Sequence, residues 1–293
     1  MRNIIAVLIS LSFSIYACTP DSSKGKNNNN QTSNLDTVYT NVAYGNDAKQ
    51  VMDIYLPEGR NTASTKTIII IHGGAWIGGD KSEMAYFVQS IQKKWPEVAI
   101  ANINYRLANG SSIIHTQISE DLKSAVNYLI DNSVTLGISK DFAMLGASAG
   151  AHLSLLYSYK FNTDNHIKAV SNIFGPSHFA DWTYYNSFNI FLGGNVKEIF
   201  KKYTGVYWDS ALYTSLSPYH LVNKDNYIPT ITFHSDIDVI VPLYQSQYFV
   251  HKLDSLKLSN KYFQYPGQGH GFNDEYNKRC VDSTVSFFKA ILQ

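Results

Sequence analysis

A serine hydroxyl becomes a nucleophile only where the chain holds it clear of its surroundings, and Ser148 has the neighbours for that. It sits in Gly146-Ala147-Ser148-Ala149-Gly150, between the apolar run Phe142-Ala143-Met144-Leu145 and the segment Ala151-His152-Leu153-Ser154-Leu155-Leu156-Tyr157. The first run predicts a buried strand and the second the start of a packed helix. Strand, Gly-x-Ser-x-Gly and helix in that order make a nucleophile elbow, whose sharp turn lifts the serine out of the sheet. Small residues at Gly146, Ala149 and Gly150 let neighbouring backbone come close. The following helix points its positive dipole end at the negative charge that acyl transfer creates.

Such a serine needs a base, an acid that orients the base, and donors for the oxyanion. The β-branched run Thr67-Ile68-Ile69-Ile70-Ile71 predicts a strand feeding His72-Gly73-Gly74-Ala75-Trp76. Its glycines allow the amides to turn inward, so the oxyanion donors are assigned to Gly74 and Ala75, with the Ala149 N–H as the third. Residues 74–82 nearly spell a phosphate-binding loop. However, Asp80 separates Gly79 from Lys81 and would set a carboxylate against the phosphates. His72 is expected to brace the loop by a hydrogen bond rather than to move protons.

The base is sought among nine histidines. His270, in Gly267-Gln268-Gly269-His270-Gly271-Phe272, follows the strand-like Tyr262-Phe263-Gln264-Tyr265, and its glycine-flanked loop can carry an imidazole across the top of a sheet. It also lies late in the chain, as the order Ser, Asp, His requires. His115, His166, His178, His220 and His251 are read as surface or satisfied core residues, and His152 as lying on the helix behind or beneath the serine. The acid comes from the loop after Pro229-Thr230-Ile231-Thr232-Phe233-His234, where Asp236 and Asp238 compete. Asp238, ahead of a β-branched stretch and Pro242, fits the position that holds the Nδ1–H of His270. Asp236 is expected to brace the turn through its own backbone. A metal site from His234, Asp236 and Asp238 is conceivable, but no second cluster with ligand spacing accompanies it.

The elements that must position these residues follow from alternation. Strand-like runs at 67–71, 98–104, 142–145, 167–174, 230–234 and 261–265 are separated by helical stretches such as 118–132 and 243–256, where apolar residues recur at three and four. That pattern predicts βαβ units in a mostly parallel central sheet with helices on both faces. Runs at 37–44 and 51–56 predict antiparallel strands at one edge. Ser148, Asp238 and His270 then converge beyond the carboxyl ends of the strands. The insertion at about 176–218 carries Trp182, Tyr184, Tyr185, Phe188, Phe191, Tyr203, Tyr207 and Trp208, too aromatic and too long for a plain connection. It predicts a small cap in which most rings pack on each other and two or three line the site.

With these residues in view, the chain resembles the α/β-hydrolase superfamily, in particular carboxylesterases like the bacterial feruloyl and acetyl-xylan esterases and the kynurenine formamidases. The resemblance rests on Met52-Asp53-Ile54-Tyr55-Leu56-Pro57, on His72 to Trp76 with Gly79-Asp80-Lys81 behind it, and on Asn104-Tyr105-Arg106-Leu107. Asp121 ahead of Ala125, the elbow, the Asp238 loop and Gly269-His270-Gly271-Phe272 complete it. It covers the chain from about Val38 to the C-terminus. Ser235 stands where a glycine is commoner and Ala75 replaces a third glycine; neither removes a backbone donor. The resemblance implies an α/β-hydrolase fold over 37–293 with a triad of Ser148, Asp238 and His270.

The first residues speak of location. Met1-Arg2-Asn3 is a short positive start, Ile4 to Ile15 is apolar and shorter than a membrane span, and Ala17-Cys18 ends the run. This predicts a signal peptide over 1–17. Cys18 resembles the lipidated cysteine of bacterial lipoproteins, although Tyr16 occupies a position that prefers small residues. Residues 18–36, rich in Ser, Lys, Gly and Asn, predict a disordered tether to a membrane. The second cysteine, Cys280, reads as a small core residue in the last amphipathic helix. A net charge of +1 without clusters gives no nucleic-acid footprint.

The expected activity is therefore hydrolysis of short-chain or aromatic acyl esters through an acyl-enzyme, with no cofactor, on small-molecule or oligosaccharide esters such as plant polysaccharide fragments. The address and the resemblance carry that substrate class. An N-formyl amide hydrolase, or a surface lipoprotein that keeps the fold only to bind glycans, are the alternatives. Completeness of the triad favours catalysis over binding alone. The oligomeric state is not legible.

Overall fold

Hydrophobic patterning divides the chain into strands buried on both faces and helices that cover them. In the computed structural model, residues 36–189 and 194–292 are described. The signal, the Cys18 and tether readings, Phe191 and the side chain of Phe188 lie outside them. The strands are β1 (Thr37–Ala43), β2 (Val51–Leu56), β3 (Thr67–Ile71), β4 (Ala99–Ile103), β5 (Phe142–Ala147), β6 (Ile167–Ile173), β7 (Phe188–Asn189), β8 (Gly194–Asn195), β9 (Thr230–Ser235) and β10 (Asn260–Tyr265). The helices are α1 (Ala85–Lys94), α2 (His115–Asp131), α3 (Ser133–Leu136), α4 (Ala149–Lys160), α5 (Trp182–Tyr185), α6 (Val196–Thr204), α7 (Ser210–Ser215), α8 (Pro218–Leu221), α9 (Tyr244–Ser255) and α10 (Asp274–Ile291). A 3₁₀ turn, Lys81–Met84, precedes α1. Among the described residues no helix is long and apolar enough to cross a membrane.

Eight strands form one sheet in the order β1-β2-β4-β3-β5-β6-β9-β10. β1 and β2 pair antiparallel, β2 meets β4 antiparallel, and every other pairing is parallel. The continuous apolar runs in β3 and β5 follow from this, since helices cover both faces of a parallel sheet. Alternate residues face opposite layers. Ile68 and Ile70 pack with Val88 and Ile91 of α1 and with Val281 and Phe288 of α10. Ile69 and Ile71 belong to the other layer, with Leu122 and Val126 of α2 and Leu153 and Leu156 of α4. Cys280 is fully buried in the α1/α10 layer, and burial pushes its thiol up, away from the reactive thiolate.

Two boundaries differ from the periodicity for local reasons. β5 runs two residues past Leu145, because Gly146 and Ala147 keep pairing with Asn172 and Ile173 of β6. α2 starts at His115 rather than Ile118, because the Gln117 side chain accepts the Ile114 N–H and satisfies the entry to the helix. The insertion folds as α5, the two-residue strands β7 and β8 paired antiparallel, α6 and α7, with α8 closing it.

Candidate active site

The elbow is built as the sequence implies. Ser148 sits between β5 and α4 at φ 54°, ψ −120°, a conformation costly for a side chain with a Cβ. It is held there because its N–H donates to Ile173 O at 2.9 Å while its carbonyl accepts from Ala151 and His152. α4 is buried along almost its whole length, so it cannot swing away and relax the turn. Gly150 allows the helix to reach the sheet, since a Cβ there would stand 2.2 Å from Ile71 O and 2.4 Å from His72 O.

His270 lies in the loop between β10 and α10, and the sheet brings it to the serine. Its Nε2 is 2.8 Å from Ser148 Oγ and its Nδ1 is 2.7 Å from Asp238 Oδ2. Phe174, at the end of β6, packs on the ring with centroids 4.6 Å apart. The loop is anchored downstream by Asn273, which caps α10 and donates its N–H to Gln268. Asp238 is buried in the loop after β9, where Oδ1 accepts the N–H groups of Ile240 and Val241 at 2.9 Å each. Burial alone would push its carboxyl up. Hydrogen bonds from His234 and His270 outweigh that and hold it well below the usual carboxylate range. The carboxylate thus stays ionised beside the imidazole.

Asp236 does not act as expected. Its carboxylate accepts the Gly267 N–H at 2.7 Å, across the sheet in the loop that carries His270, rather than closing a turn on its own backbone. Of the three residues of the conceivable metal site, His234 and Asp238 meet each other, with Nε2 3.3 Å from Oδ2, while Asp236 is turned to Gly267. Among the described residues no group of three or more His, Cys, Asp or Glu is placed to hold a metal ion.

The loop after β3 reaches the same place. Gly74, Ala75 and Trp76 take φ of 100°, 51° and 63° in succession. At Gly74 a Cβ would lie 2.1 Å from Gly78 O, so only glycine fits. Ile77 and Gly78 both donate to Gly74 O. Among the described residues no hydrogen bond uses the N–H groups of Gly74, Ala75 or Ala149, and all three residues line the cavity that holds Ser148 and His270. The loop is braced from behind. Tyr105 donates to the carbonyls of His72 and Gly73 and stacks on the His72 ring at 4.4 Å. His72 bonds through Nδ1 to Gly73 O, and burial lowers its pKa to about 4, so it stays neutral. Asp80 accepts from Asn104, and Arg106 forks onto the buried Asp121, which also accepts from Gln50. Trp76 donates to Nδ1 of His152, whose Nε2 reaches Leu216 O. His152 is thereby a buried structural residue, with its pKa lowered to about 4 by burial.

The cavity over Ser148 holds about 180 Å³ and is walled by Trp76, Tyr184, Val196, Ile199, Phe200, Ile240 and Val241. Tyr184 is the described aromatic of the expected set that lines it. Trp182, Tyr185 and Trp208 pack on one another, and Tyr203 stacks on Trp76 from behind. Phe200 and Ile199 were not singled out from sequence; they come from the amphipathic α6, whose apolar period is the signal that points to them. A larger cleft of about 470 Å³ near Tyr159 and Tyr227 contains no member of this constellation. The amides of Asn162 and Asn226 that border it are spent on backbone carbonyls.

Comparison with known proteins finds esterases among the relatives of this chain. The BD-FAE family model matches residues 52–253. The chain is 28% identical over 248 residues to esterase LipC of Mycobacterium tuberculosis, covering 79% of this chain and 59% of that protein. It is 23% identical over 246 residues to a probable isoprenylcysteine alpha-carbonyl methylesterase of Arabidopsis thaliana, covering 80% and 51%. The chain thus spans little more than half the length of these curated relatives. Among solved structures, a truncated carbohydrate esterase from gut microbiota superposes with a TM-score of 0.71 at 23% identity, covering 88% of this chain and 98% of that one.

Proposed function

Because the chain belongs to the BD-FAE family of α/β-hydrolases, we propose that it is a serine carboxylesterase working through an acyl-enzyme. The observation that carries this reading is His270 bridging Ser148 Oγ at 2.8 Å and Asp238 at 2.7 Å. In the first step Ser148 Oγ attacks the ester carbonyl while His270 Nε2 takes its proton. Asp238 holds the Nδ1–H and stabilises the imidazolium without becoming protonated. The N–H groups of Gly74, Ala75 and Ala149 receive the oxyanion. Collapse of the tetrahedral intermediate expels the alcohol, which leaves with the proton from His270. Water then attacks the acyl-serine with His270 as base, and the acid departs.

The substrate follows from the cavity and the relatives. A space of about 180 Å³ with apolar walls suits a short or flat acyl group, and among the described residues no Asp, Glu, Lys or Arg lines it to hold an ionic one. The alcohol side is proposed to be a sugar of a plant polysaccharide fragment, in keeping with the carbohydrate esterase among the structural neighbours. We also propose that Cys18 is lipidated and tethers the enzyme to a membrane outside the cytoplasm, on the strength of the apolar run that Ala17-Cys18 ends. A Cys18→Ala chain that stays in the membrane fraction would contradict this anchor.

The test of activity compares p-nitrophenyl acetate, butyrate and octanoate, methyl ferulate, acetylated xylan and N-formylkynurenine, with Ser148→Ala as control. Turnover of the short or aromatic esters that vanishes in the variant is the expected result. Preference for N-formylkynurenine would make the chain a formamidase instead. Inertness of both proteins on all six would leave a binding lipoprotein as the better account.

A further inference from the structure

Asp238 is approached by two histidines. His270 meets Oδ2 from the loop after β10, and His234, the fifth residue of β9, meets the same oxygen from inside the protein with Nε2 at 3.3 Å. His234 is fully buried. Its Nε2 also lies 2.8 Å from Val241 O, and its Nδ1 lies 2.6 Å from Ser246 Oγ on α9. The contacts at Nε2 fix one proton. A carboxylate oxygen and a carbonyl oxygen can only accept, so Nε2 must carry the hydrogen. With Ser246 donating its hydroxyl to a bare Nδ1, a neutral imidazole satisfies every ring nitrogen, and that is the arrangement the proposal takes.

A neutral ring matters here. A second imidazolium on Asp238 would compete with His270 for the carboxylate at the moment His270 becomes charged. A bare apolar side chain would leave Oδ2 to the His270 bond alone and Val241 O unpaired. A neutral N–H does neither: it fixes the carboxylate and leaves its charge for His270. Val241 joins the two halves, since its N–H donates to Asp238 Oδ1 while its carbonyl accepts from His234.

We propose that His234 is a positioning residue for the ester hydrolysis argued above, aiming Asp238 at His270, with Ser246 setting its tautomer. The chain of contacts runs Ser246, His234, Asp238, His270, Ser148. The inference rests on the serine-esterase reading, and one of its readouts needs no turnover. The titratable groups facing this chain are few: Asp238 faces both histidines and Tyr184, whose hydroxyl donates to Ile240 O. Phe174 covers His270, and Asn172 and Gln264 on the strands flanking β9 are uncharged.

The experiment uses the full chain with His234→Leu, His234→Gln and Ser246→Ala. Leucine keeps bulk and removes the N–H, and glutamine keeps an N–H. Expected for His234→Leu is a fall in kcat for p-nitrophenyl acetate on the order of tenfold to a hundredfold with KM within about twofold, as when an orienting partner is lost. The acid limb of the kcat/KM profile moves, because His270 then faces a carboxylate that has lost one of its two imidazole donors. Glutamine restores much of kcat and returns the limb. The downfield proton NMR signal of the His270 Nδ1–H, read at low pH without substrate, shifts or broadens in His234→Leu and is restored in His234→Gln. If His234→Leu does not fold, Ser246→Ala, which leaves the imidazole in place, must show the limb shift and the NMR change. Unchanged kcat, limb and signal in the variants that fold overturn the proposal. So does a loss of kcat that moves neither limb nor signal and that glutamine does not rescue. Retention of turnover by Ser148→Ala would instead overturn the esterase reading, and the NMR result would still decide the role of His234.

Discussion

Gly267 donates its backbone N–H to Oδ1 of Asp236 at 2.7 Å, and this one bond ties the loop that carries the base to the loop that carries the acid. The two residues are far apart in sequence and meet because β9 and β10 run parallel, ending in register at Ser235 and Tyr265. Asp236 and Asp238 thus divide one task. Asp238 orients the ring of His270, and Asp236 orients the backbone from which that ring hangs.

The two carboxylates should therefore separate on substitution. Asp238→Asn leaves a side chain of the same shape that no longer favours the required tautomer, and a loss in kcat of about 10⁴-fold is expected. Asp236→Ala frees the exposed loop while the triad contacts remain available, so kcat should fall by only about tenfold. Steady-state kinetics on p-nitrophenyl acetate decide it. Equal losses in both variants would mean that the loop bond and the triad bond are not separable.

Which parts were legible in the sequence follows from the range of each signal. Ser148 and His270 each stand in a local pattern, a serine between strand and helix and a histidine between glycines, and the structure brings both to the strand ends. The choice of Asp238 over Asp236 needed only the loop position. The partner of Asp236 did not show, because Gly267 becomes its neighbour only when the sheet forms. The role of His234 did not show for the same reason: Ser246, Val241 and Asp238 close around it only when α9 and the loop before it dock on β9. In the cap, α5 is a single turn, too short to display a period, so the sequence could not say that Tyr184 faces the cavity while Trp182 is exposed. The mostly parallel sheet and its antiparallel edge, by contrast, followed from strand alternation and the resemblance, whereas the order of the strands emerged only in the fold.

The cavity wall predicts acyl-chain selectivity. Phe200 lines the cavity next to Ile199 and stacks on Phe179 at 4.0 Å, so it is held rigid rather than free to swing out. Ile199→Ala should open the wall without disturbing that stack. The ratio of kcat/KM for p-nitrophenyl octanoate over acetate should rise about tenfold or more, the worth of a few methylenes in an apolar pocket. An unchanged ratio would place the acyl group elsewhere.

Close approach behind the serine predicts a stability effect without any chemistry. In Gly150→Ala the new Cβ would stand 2.2 Å from Ile71 O, and backbone must move on both sides. A loss of about 3 kcal/mol or more is expected, or failure to fold. Thermal melting of the purified variant measures it. A melting temperature within a few degrees of wild type would show that α4 can shift on β3 more easily than its buried length suggests.

The buried histidines predict a stability loss in mild acid. His72 and His152 have folded pKa values near 4, below the 6.5 of an exposed imidazole, because burial penalises the charged ring. As pH falls from 6.5 the unfolded chain takes up protons that the folded chain refuses, so folding weakens until about pH 4, where the folded rings also protonate. Above 6.5 neither state is charged and the effect is absent. Each ring is worth on the order of 3 kcal/mol across that window. Asp238, held low by its hydrogen bonds, adds its own loss only further down, as the unfolded carboxyl begins to protonate near pH 4. Urea midpoints at pH 7.5, 6, 5 and 4.5 should therefore fall steadily, and His152→Gln, though less stable at pH 7.5, should show a shallower slope. A midpoint flat from 7.5 to 5 would mean that water reaches these rings or that they relax to the surface.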